Sequence, residues 1–151
     1  MKSQELFDAA DRHLQAEFNG DLDATMATVG PDPDFYFAPV GLRVRGRTAV
    51  REFYREMFAA GLHHFESNML GRWVGDERTV IQQIDTVMNL TGKFLGVTFE
   101  GTRRVKIEQV AIIFIENGLV AGERLYFDVA SVYRQLGIER LPPVPGATAP
   151  H

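Results

Sequence analysis

Near its end the chain has the pattern of a β-hairpin, in the run Glu116-Asn117-Gly118-Leu119-Val120-Ala121-Gly122-Glu123-Arg124-Leu125-Tyr126-Phe127-Asp128. The pair Asn117-Gly118 favours a type I′ turn, because both central residues of that turn need φ > 0. β-branched and aromatic residues from Val105 to Ile115 and from Leu119 to Phe127 predict a long strand on each side of the turn. Asp128 is then placed to cap a short helix, which Gly137 ends. We expect these two strands to form the middle of a sheet that the rest of the chain covers.

A period of two continues upstream of the hairpin and predicts further strands. The expected strands are Asp34–Ala38, His64–Val74, Thr79–Leu90, Lys93–Phe99 and Arg103–Ile115. Turns between the last four of these are expected at 75–77, 91–92 and 100–102, where glycine occurs each time. Gly30-Pro31-Asp32-Pro33 is expected to break the chain before the first of them.

Apolar residues recur at helical spacing in three N-terminal segments. The expected helices are residues 4–18, with Ser3 as N-cap, residues 22–28, capped by Asp21, and residues 48–60. Helices followed by strands predict an α+β domain with the helices on one face of an antiparallel sheet. A bent sheet that holds a helix on its concave side leaves a pocket at its open end. Such pockets are mostly apolar and bind small molecules.

Composition narrows the class of protein. The chain has 151 residues, of which 45% are hydrophobic and 24% charged, as in one globular domain. We expect that domain to span residues 1–138, followed by a proline-rich tail, 139–151, that is either disordered or laid over a partner subunit. With no cysteine, thiolate chemistry is excluded, and a net charge of −4 argues against nucleic-acid binding. The chain shows no signal-peptide pattern and no apolar run of about 20 residues, so we expect a cytoplasmic protein without a membrane span.

Two histidine positions are candidates for a polar site. His13 lies at the apolar edge of the first helix, four residues before Glu17. It is either an edge residue paired with Glu17 or a polar group that points into a cavity. His63 and His64 are adjacent, so they point in opposite directions on a strand, and no Asp or Cys stands beside them at ligand spacing. We therefore expect no metal site there, and the lack of a glycine-rich phosphate loop predicts no cofactor.

Three parts of the chain resemble the nuclear transport factor 2-like superfamily, in its SnoaL-like branch. Arg12-His13 through Asn19-Gly20-Asp21-Leu22-Asp23 is similar to the first helix of that family and its turn. Ala38-Pro39-Val40-Gly41, with Val50-Arg51-Glu52-Phe53-Tyr54, resembles the strand-loop-helix of ketosteroid isomerases. Gly92-Lys93-Phe94-Leu95-Gly96 and Tyr126-Phe127-Asp128 to Arg134-Gln135-Leu136-Gly137 resemble the SnoaL-like polyketide cyclases. The resemblance implies a cone-shaped α+β barrel, in which a strongly bent sheet packs on three N-terminal helices.

The catalytic positions of these relatives fall mostly on apolar residues of this chain. The resemblance places the isomerase general base on Ala38, the isomerase acid and the cyclase histidine on Ala111, and the cyclase aspartate on Leu125. None of these side chains can move a proton. The isomerase tyrosine falls on His13, and the arginine-x-aspartate of limonene epoxide hydrolases falls on Gln83-Ile84-Asp85, which keeps only the aspartate. The known mechanisms of the three enzymes are therefore not expected unchanged.

Strand alternation extends this set of residues. If the carried-over positions face the cavity, so do the residues two places away from them, which are Tyr36, Gln83, Gln109 and Glu123. We predict Asp85 as the base, with His13 and Glu123 as its partners. Carboxylates near a histidine can have their pKa values pushed apart and act as acid and base, although the same groups could merely satisfy one another in a buried network. The substrate-binding positions predicted on this basis are Tyr36, Ala38, Gln83, Gln109, Ala111 and Leu125.

Three functions agree with these residues. The first is a cofactor-free enzyme whose substrate is an apolar polyketide-, terpenoid- or steroid-like molecule. It would isomerise or cyclise that substrate, or open an epoxide in it. The second is a non-catalytic binding protein for an apolar small molecule, which the alanine and leucine at the family positions favour. The third is an assembly module. Independently of these, we predict a homodimer through the outer face of the sheet, because several outward positions are too apolar for an open surface, namely Val110, Ile112, Phe114 and Tyr126.

Overall fold

One six-stranded sheet with helices packed against it makes up residues 2–140, the part of the chain that the computed structural model describes. The helices are α1 (Ser3–Asn19), α2 (Leu22–Ala27), α3 (Arg47–Ala60) and α4 (Val129–Gln135). The strands are β1 (Val29–Phe37), β2 (Leu42–Arg45), β3 (Glu66–Asp76), β4 (Thr79–Phe94), β5 (Val97–Glu116) and β6 (Leu119–Phe127). They follow the order β2-β1-β6-β5-β4-β3 in a curled sheet, so the predicted α+β class is confirmed. Apart from residues 139 and 140, the predicted tail lies outside the described residues.

The predicted hairpin between β5 and β6 is present. Asn117 has φ of 52° and Gly118 has φ of 75°, as a type I′ turn requires, and Glu116 pairs with Leu119 across it. The Asp128 side chain accepts a hydrogen bond from the Ser131 amide at 3.0 Å, which confirms the cap of α4. At the other end of the chain, Ser3 is the first residue of α1 and not its N-cap.

The turns predicted at 91–92 and 100–102 are wrong, because β4 and β5 run through both. The two strands have 16 and 20 residues and turn instead at Leu95-Gly96, where φ is 46° and 83°. Gly92, with φ of 82°, lies where the pairing register shifts between Thr91 and Lys93. A glycine in a strand can mark a bulge that bends the strand without ending it, and this is its role here.

The N-terminal edge of the sheet differs from the prediction in a similar way. β1 begins at Val29, so the predicted break at residues 30–33 lies inside the strand, at a register shift between Val29 and Asp34. β1 pairs with β6 in parallel and with β2 in antiparallel orientation. β2, with only four residues, was not predicted.

The core lies between the concave face of the sheet and helices α1 and α3. Every second residue of β4 from Val80 to Leu90 is buried, and so is the row of β5 that includes Val105 and Ile113. Helix α1 is also fixed from the sheet edge, since Arg72 of β3 donates to the Asp11 carboxylate at 2.8 Å and to the Phe7 carbonyl at 2.9 Å. In the part of the chain described, no helix has both the length and the apolar character to cross a membrane.

Candidate functional site

A cavity of about 110 Å³ lies inside the curled sheet, under α1 and α3. An engineered apolar cavity of about 150 Å³ binds benzene, so this one has the size for a molecule of about one ring. Its wall is mostly aliphatic and aromatic, with side chains that include Leu14, Phe37, Phe53, Met57, Phe65, Ile84, Met88, Ile107 and Phe127. An open groove of about 550 Å³ runs along the outer side of α3. Phe53, Met57 and Leu95 line both spaces, so these three side chains separate the groove from the cavity.

His13 is the polar centre of the cavity. It belongs to the buried stripe of α1, together with Leu6, Ala9, Ala10 and Ala16, and is only 2% exposed. The Nε2 atom of His13 lies 3.4 Å from Glu17 Oε1 and 3.5 Å from Glu123 Oε1. His13 therefore has both of the roles considered from the sequence: it pairs with Glu17, and it lines the cavity.

The hydrogen bonds of His13 assign a proton to each ring nitrogen. The Thr28 hydroxyl donates to the Thr25 carbonyl at 2.6 Å, so at 2.6 Å from Nδ1 it must accept from the ring. The Tyr54 hydroxyl donates to Glu17 Oε1 at 2.6 Å, so at 2.9 Å from Nε2 it must also accept. A ring that donates from both nitrogens is an imidazolium cation. Its pKa agrees, since burial lowers it but the charge and hydrogen bond of Glu17 and the charge of Glu123 outweigh burial and raise it.

Glu123 is the carboxyl group whose protonation changes near neutral pH. Burial raises its pKa to about 7, the nearby His13 cation partly offsets that rise, and the charge of Glu17 adds to it. A group with a pKa near the working pH exists in both protonation states and can take up and return a proton. Tyr54, in contrast, keeps its proton, because burial and the two carboxylates raise its pKa well above the usual range. The site therefore contains a carboxyl group with a raised pKa beside a histidine whose protonated form the two carboxyl groups favour.

Five of the predicted site residues line the cavity. They are His13, Gln109, Ala111, Glu123 and Leu125. In the sheet, Ala111 pairs with Leu125, and Glu123 lies one row away, opposite Ile113. Ala111 and Leu125 thus form a small apolar part of the wall next to Glu123.

The other four predicted residues do not reach the cavity, so their expected orientation is wrong. Asp85 and Gln83 lie on the outer face of β4, where Asp85 pairs with Lys106 Nζ at 3.0 Å and Gln83 donates to Glu108 at 3.3 Å. Tyr36 points outward, because its neighbours Phe35 and Phe37 on either side are buried and side chains alternate between the two faces of a strand. Ala38 has left the strand and lies in a short 3₁₀ turn, Ala38–Val40.

Sequence reasoning missed four polar residues of the cavity wall. Tyr54 was assigned only to the apolar stripe of α3, and Glu17 was considered only as a partner of His13. Gln82 and Thr86 lie on β4 with the parity opposite to that predicted, and both are buried. The signal for the correct parity was Met88 and Leu90 further along the strand, which are buried on the same face.

Metal binding has no geometric support in this site. Within residues 2–140, no group of three His, Cys, Asp or Glu side chains could hold a metal ion. His13 donates from both ring nitrogens, to Thr28 and to Tyr54, so neither nitrogen has a free lone pair for a metal ion.

The curled sheet with its helices is a fold of the nuclear transport factor 2-like type, and His13 and Glu123 lie in the wall of its cavity. A family model described as the SnoaL-like domain matches residues 10–123, and the chain belongs to this family. The resemblance stated from the sequence is thereby confirmed.

Solved structures show the same fold. An LEH-like epoxide hydrolase of M. tuberculosis is 21% identical, with a TM-score of 0.70 over 90% of this chain and 92% of that one. TsrD from Streptomyces laurentii is 20% identical, with a TM-score of 0.74 over 91% of this chain and 98% of that one. No curated protein sequence matches the chain significantly. At these identities the likeness concerns the fold alone.

Proposed function

We propose that the protein is a cofactor-free enzyme that acts on a small apolar molecule by proton transfer. It isomerises or cyclises the molecule, or opens an epoxide in it. The observation that carries this proposal is Glu123, a carboxyl group with a pKa of about 7 that faces an apolar cavity beside the His13 cation. Asp85, predicted as the base, pairs with Lys106 on the other face of the sheet, so the proposal assigns the proton transfer to Glu123.

The geometry supports a simple proton cycle. Glu123 in its ionised form takes a proton from a substrate carbon or from an attacking water, and returns it to another atom of the product. The His13 cation stabilises the ionised state of Glu123 across 3.5 Å and is itself held by Thr28 and Glu17. Glu123 begins and ends the cycle in its ionised form and only a proton moves, so no cofactor enters the balance.

The size of the cavity limits the substrate. About 110 Å³ admits a molecule of about one ring, and a four-ring steroid would need the side chains at the groove to move. Among the substrate types expected from the sequence, we favour monocyclic terpenoid- or polyketide-like molecules. Phe53, Met57 and Leu95 would have to move for anything larger.

A non-catalytic binding protein is the second candidate. It is favoured by Ala111 and Leu125, which line the cavity at positions where the resemblance expects catalytic groups. The experiment that separates the two functions measures binding and turnover with the same compounds, cyclohex-3-enone and cyclohexene oxide. Binding is followed by NMR titration, and products are followed by ultraviolet absorbance for the conjugated enone and by gas chromatography for the diol.

We expect both compounds to bind and at least one of them to turn over faster than with unfolded protein. Binding without turnover would favour the binding protein, and failure of both compounds to bind would contradict a small-molecule function of this cavity.

The predicted homodimer remains a proposal, and the outer face of the sheet supports it. Register places Ile81, Ile112 and Arg124 in one row across β4, β5 and β6, with Trp73 of β3 at its end. The next row contains Val110 and Tyr126, and the side chains of Trp73 and Tyr126 are about half exposed. A second copy of the same face would cover this apolar surface on both partners, as a two-fold interface does.

We expect the protein to sediment as a dimer at micromolar concentration and Ile112→Asp to sediment as a monomer, because a charge at the centre of the face cannot be desolvated. Thr98→Asp adds the same charge at an exposed position of β5 and should leave the dimer intact. A wild-type monomer, or an Ile112→Asp dimer, would refute the interface.

A further inference from the structure

Gln82 is the one buried side-chain amide of the cavity wall with an unused donor. It lies on β4 with 1% of its surface exposed, and among the described residues its Nε2 atom has no hydrogen-bond partner. An unsatisfied buried donor destabilises the fold, so proteins rarely keep one without a reason. The proton cycle assigned to Glu123 does not use this amide.

The pairing of β4, β5 and β6 gives the position of Gln82 relative to Glu123. Gln82 pairs with Ala111 of β5, and Ala111 pairs with Leu125 of β6, two residues after Glu123. Gln82 and Glu123 therefore lie on the same concave wall, two strands apart and offset by two residues along the strands. Ala111 between them has the shortest side chain of that row and leaves room above it. A ring placed over Ala111 therefore has Glu123 on one side and Gln82 on the other.

The chemistry of an amide N–H selects the group that can satisfy it. It needs an acceptor oxygen, and a carbonyl oxygen supplies one without bringing a donor that would itself need a partner. A carbonyl group also makes the protons on neighbouring carbon atoms removable, because the negative charge formed on proton loss moves to its oxygen. A hydrogen-bond donor at that oxygen stabilises the charge where it develops.

We propose that Gln82 is a substrate-binding residue and that it selects small cyclic ketones, whose carbonyl oxygen accepts the hydrogen bond from Nε2 while the ring lies over Ala111. This inference deepens the proposed function and rests on it. It narrows the three reaction types to those that begin with removal of a proton near a carbonyl group. In a ketone with a β,γ double bond, Glu123 takes that proton from the α-carbon and the electron pair of the C–H bond moves toward the carbonyl oxygen. The pair then returns through the carbon chain, the γ-carbon takes the proton back from Glu123, and the double bond moves into conjugation with the carbonyl group.

The test compares two ligands of nearly the same shape, cyclohexanone and methylenecyclohexane, which differ in whether an oxygen or a CH₂ group ends the double bond. Their dissociation constants are measured by NMR titration with the wild type, Gln82→Met and Gln83→Met. We expect Gln82→Met to shift the ratio of the two dissociation constants by about tenfold against the ketone, the scale of one buried hydrogen bond. Gln83→Met removes the same amide from the outer face, one residue away, and should leave the ratio unchanged.

Two results would overturn the assignment. An unchanged ratio in Gln82→Met, with the thermal midpoint preserved, would show that ligands do not use the amide. An unchanged ratio with a much lower midpoint would show that Gln82 serves the structure, for example as the partner of Arg72, which lies opposite it on β3 and also has a buried unpaired Nε atom. Because this assay needs no turnover, failure of the catalytic proposal would appear separately, as ketone binding that depends on Gln82 without any product.

Discussion

Glu123→Gln is expected to lower turnover by about 10²-fold or more, the usual scale on which loss of a general acid–base group slows an enzyme. Glutamine keeps the shape of the side chain and its place beside His13, but it cannot take up a proton. Ligand affinity should change little, because the cavity keeps its size and its apolar wall. Turnover of cyclohex-3-enone by the two proteins, together with their dissociation constants for cyclohexanone, measures both quantities.

Asp85→Asn is the matched control for this experiment. It makes the same carboxylate-to-amide change, but on the outer face of the sheet, where the side chain pairs with Lys106. Turnover should remain close to that of the wild type. The pH dependence gives a further check, since wild-type activity should rise as Glu123 ionises around pH 7 and Glu123→Gln should lose that rise. Loss of turnover in Asp85→Asn with normal folding would instead return the chemistry to Asp85.

His13→Leu is expected to lower the free energy of unfolding by about 3–5 kcal/mol, the cost of removing one partner from a buried ion pair. The leucine fills most of the space, but it leaves the buried carboxyl group of Glu123 and the half-buried one of Glu17 without their cation. Denaturant unfolding followed by circular dichroism measures the loss. Exposed His63 provides the control, and His63→Leu should change the unfolding free energy by less than about 0.5 kcal/mol.

The double variant His13→Leu/Glu123→Gln should recover part of that loss, because it also removes the uncompensated carboxyl group. If the two changes are simply additive, the pair is not coupled and the site is not held by charge.

His13 and Glu123 also determine whether the free energy of unfolding of the wild type rises or falls with pH. His13 has a pKa above its ordinary 6.5 and Glu123 has one of about 7 against an ordinary 4.5, so the native state binds more protons than the unfolded chain in this range. These two groups therefore stabilise the fold fully at lower pH. The contribution of Glu123 falls as pH rises from about 4.5 to about 7, and that of His13 falls from pH 6.5 upward.

The sequence predicted the fold well where local chemistry determines structure. Asn117-Gly118 and Asp128 specify their turn and cap through their own backbone preferences, and both are present. Gly92 and Gly101 were interpreted as turns because a positive φ is equally useful in a turn and in a bulge. Only the pairing of β4 with β5 over their full length settles which one forms. The first part of β1 was missed for a different reason: Pro31 and Pro33 have no amide hydrogen to donate and so indicate a break, but here they lie at the register shift between Val29 and Asp34.

The site was predicted less well, because its residues depend on which face of each strand is covered. β4 has apolar residues on both faces, since its outer face carries Ile81 and Val87 while its inner face carries Val80 and Ile84. A shift of one residue therefore exchanged Gln82 for Gln83 and placed Asp85 in the cavity. On β5 and β6 the assumed parity was correct, which is why Gln109, Ala111, Glu123 and Leu125 were found.

The parallel pairing of β1 with β6 has a consequence for the order of folding. β4 and β5 meet across a two-residue turn, so their long ladder closes only a short loop, whereas the contact between Phe35 and Glu123 closes a loop of 88 residues. Contacts between residues distant in sequence cost more chain entropy and tend to form late. We therefore expect the central hairpins to form first and the N-terminal segment to dock afterwards. His13 belongs to that N-terminal segment, whereas Glu123 lies on β6 in the hairpin that forms first. We therefore expect the contact between His13 and Glu123 to be among the last to form.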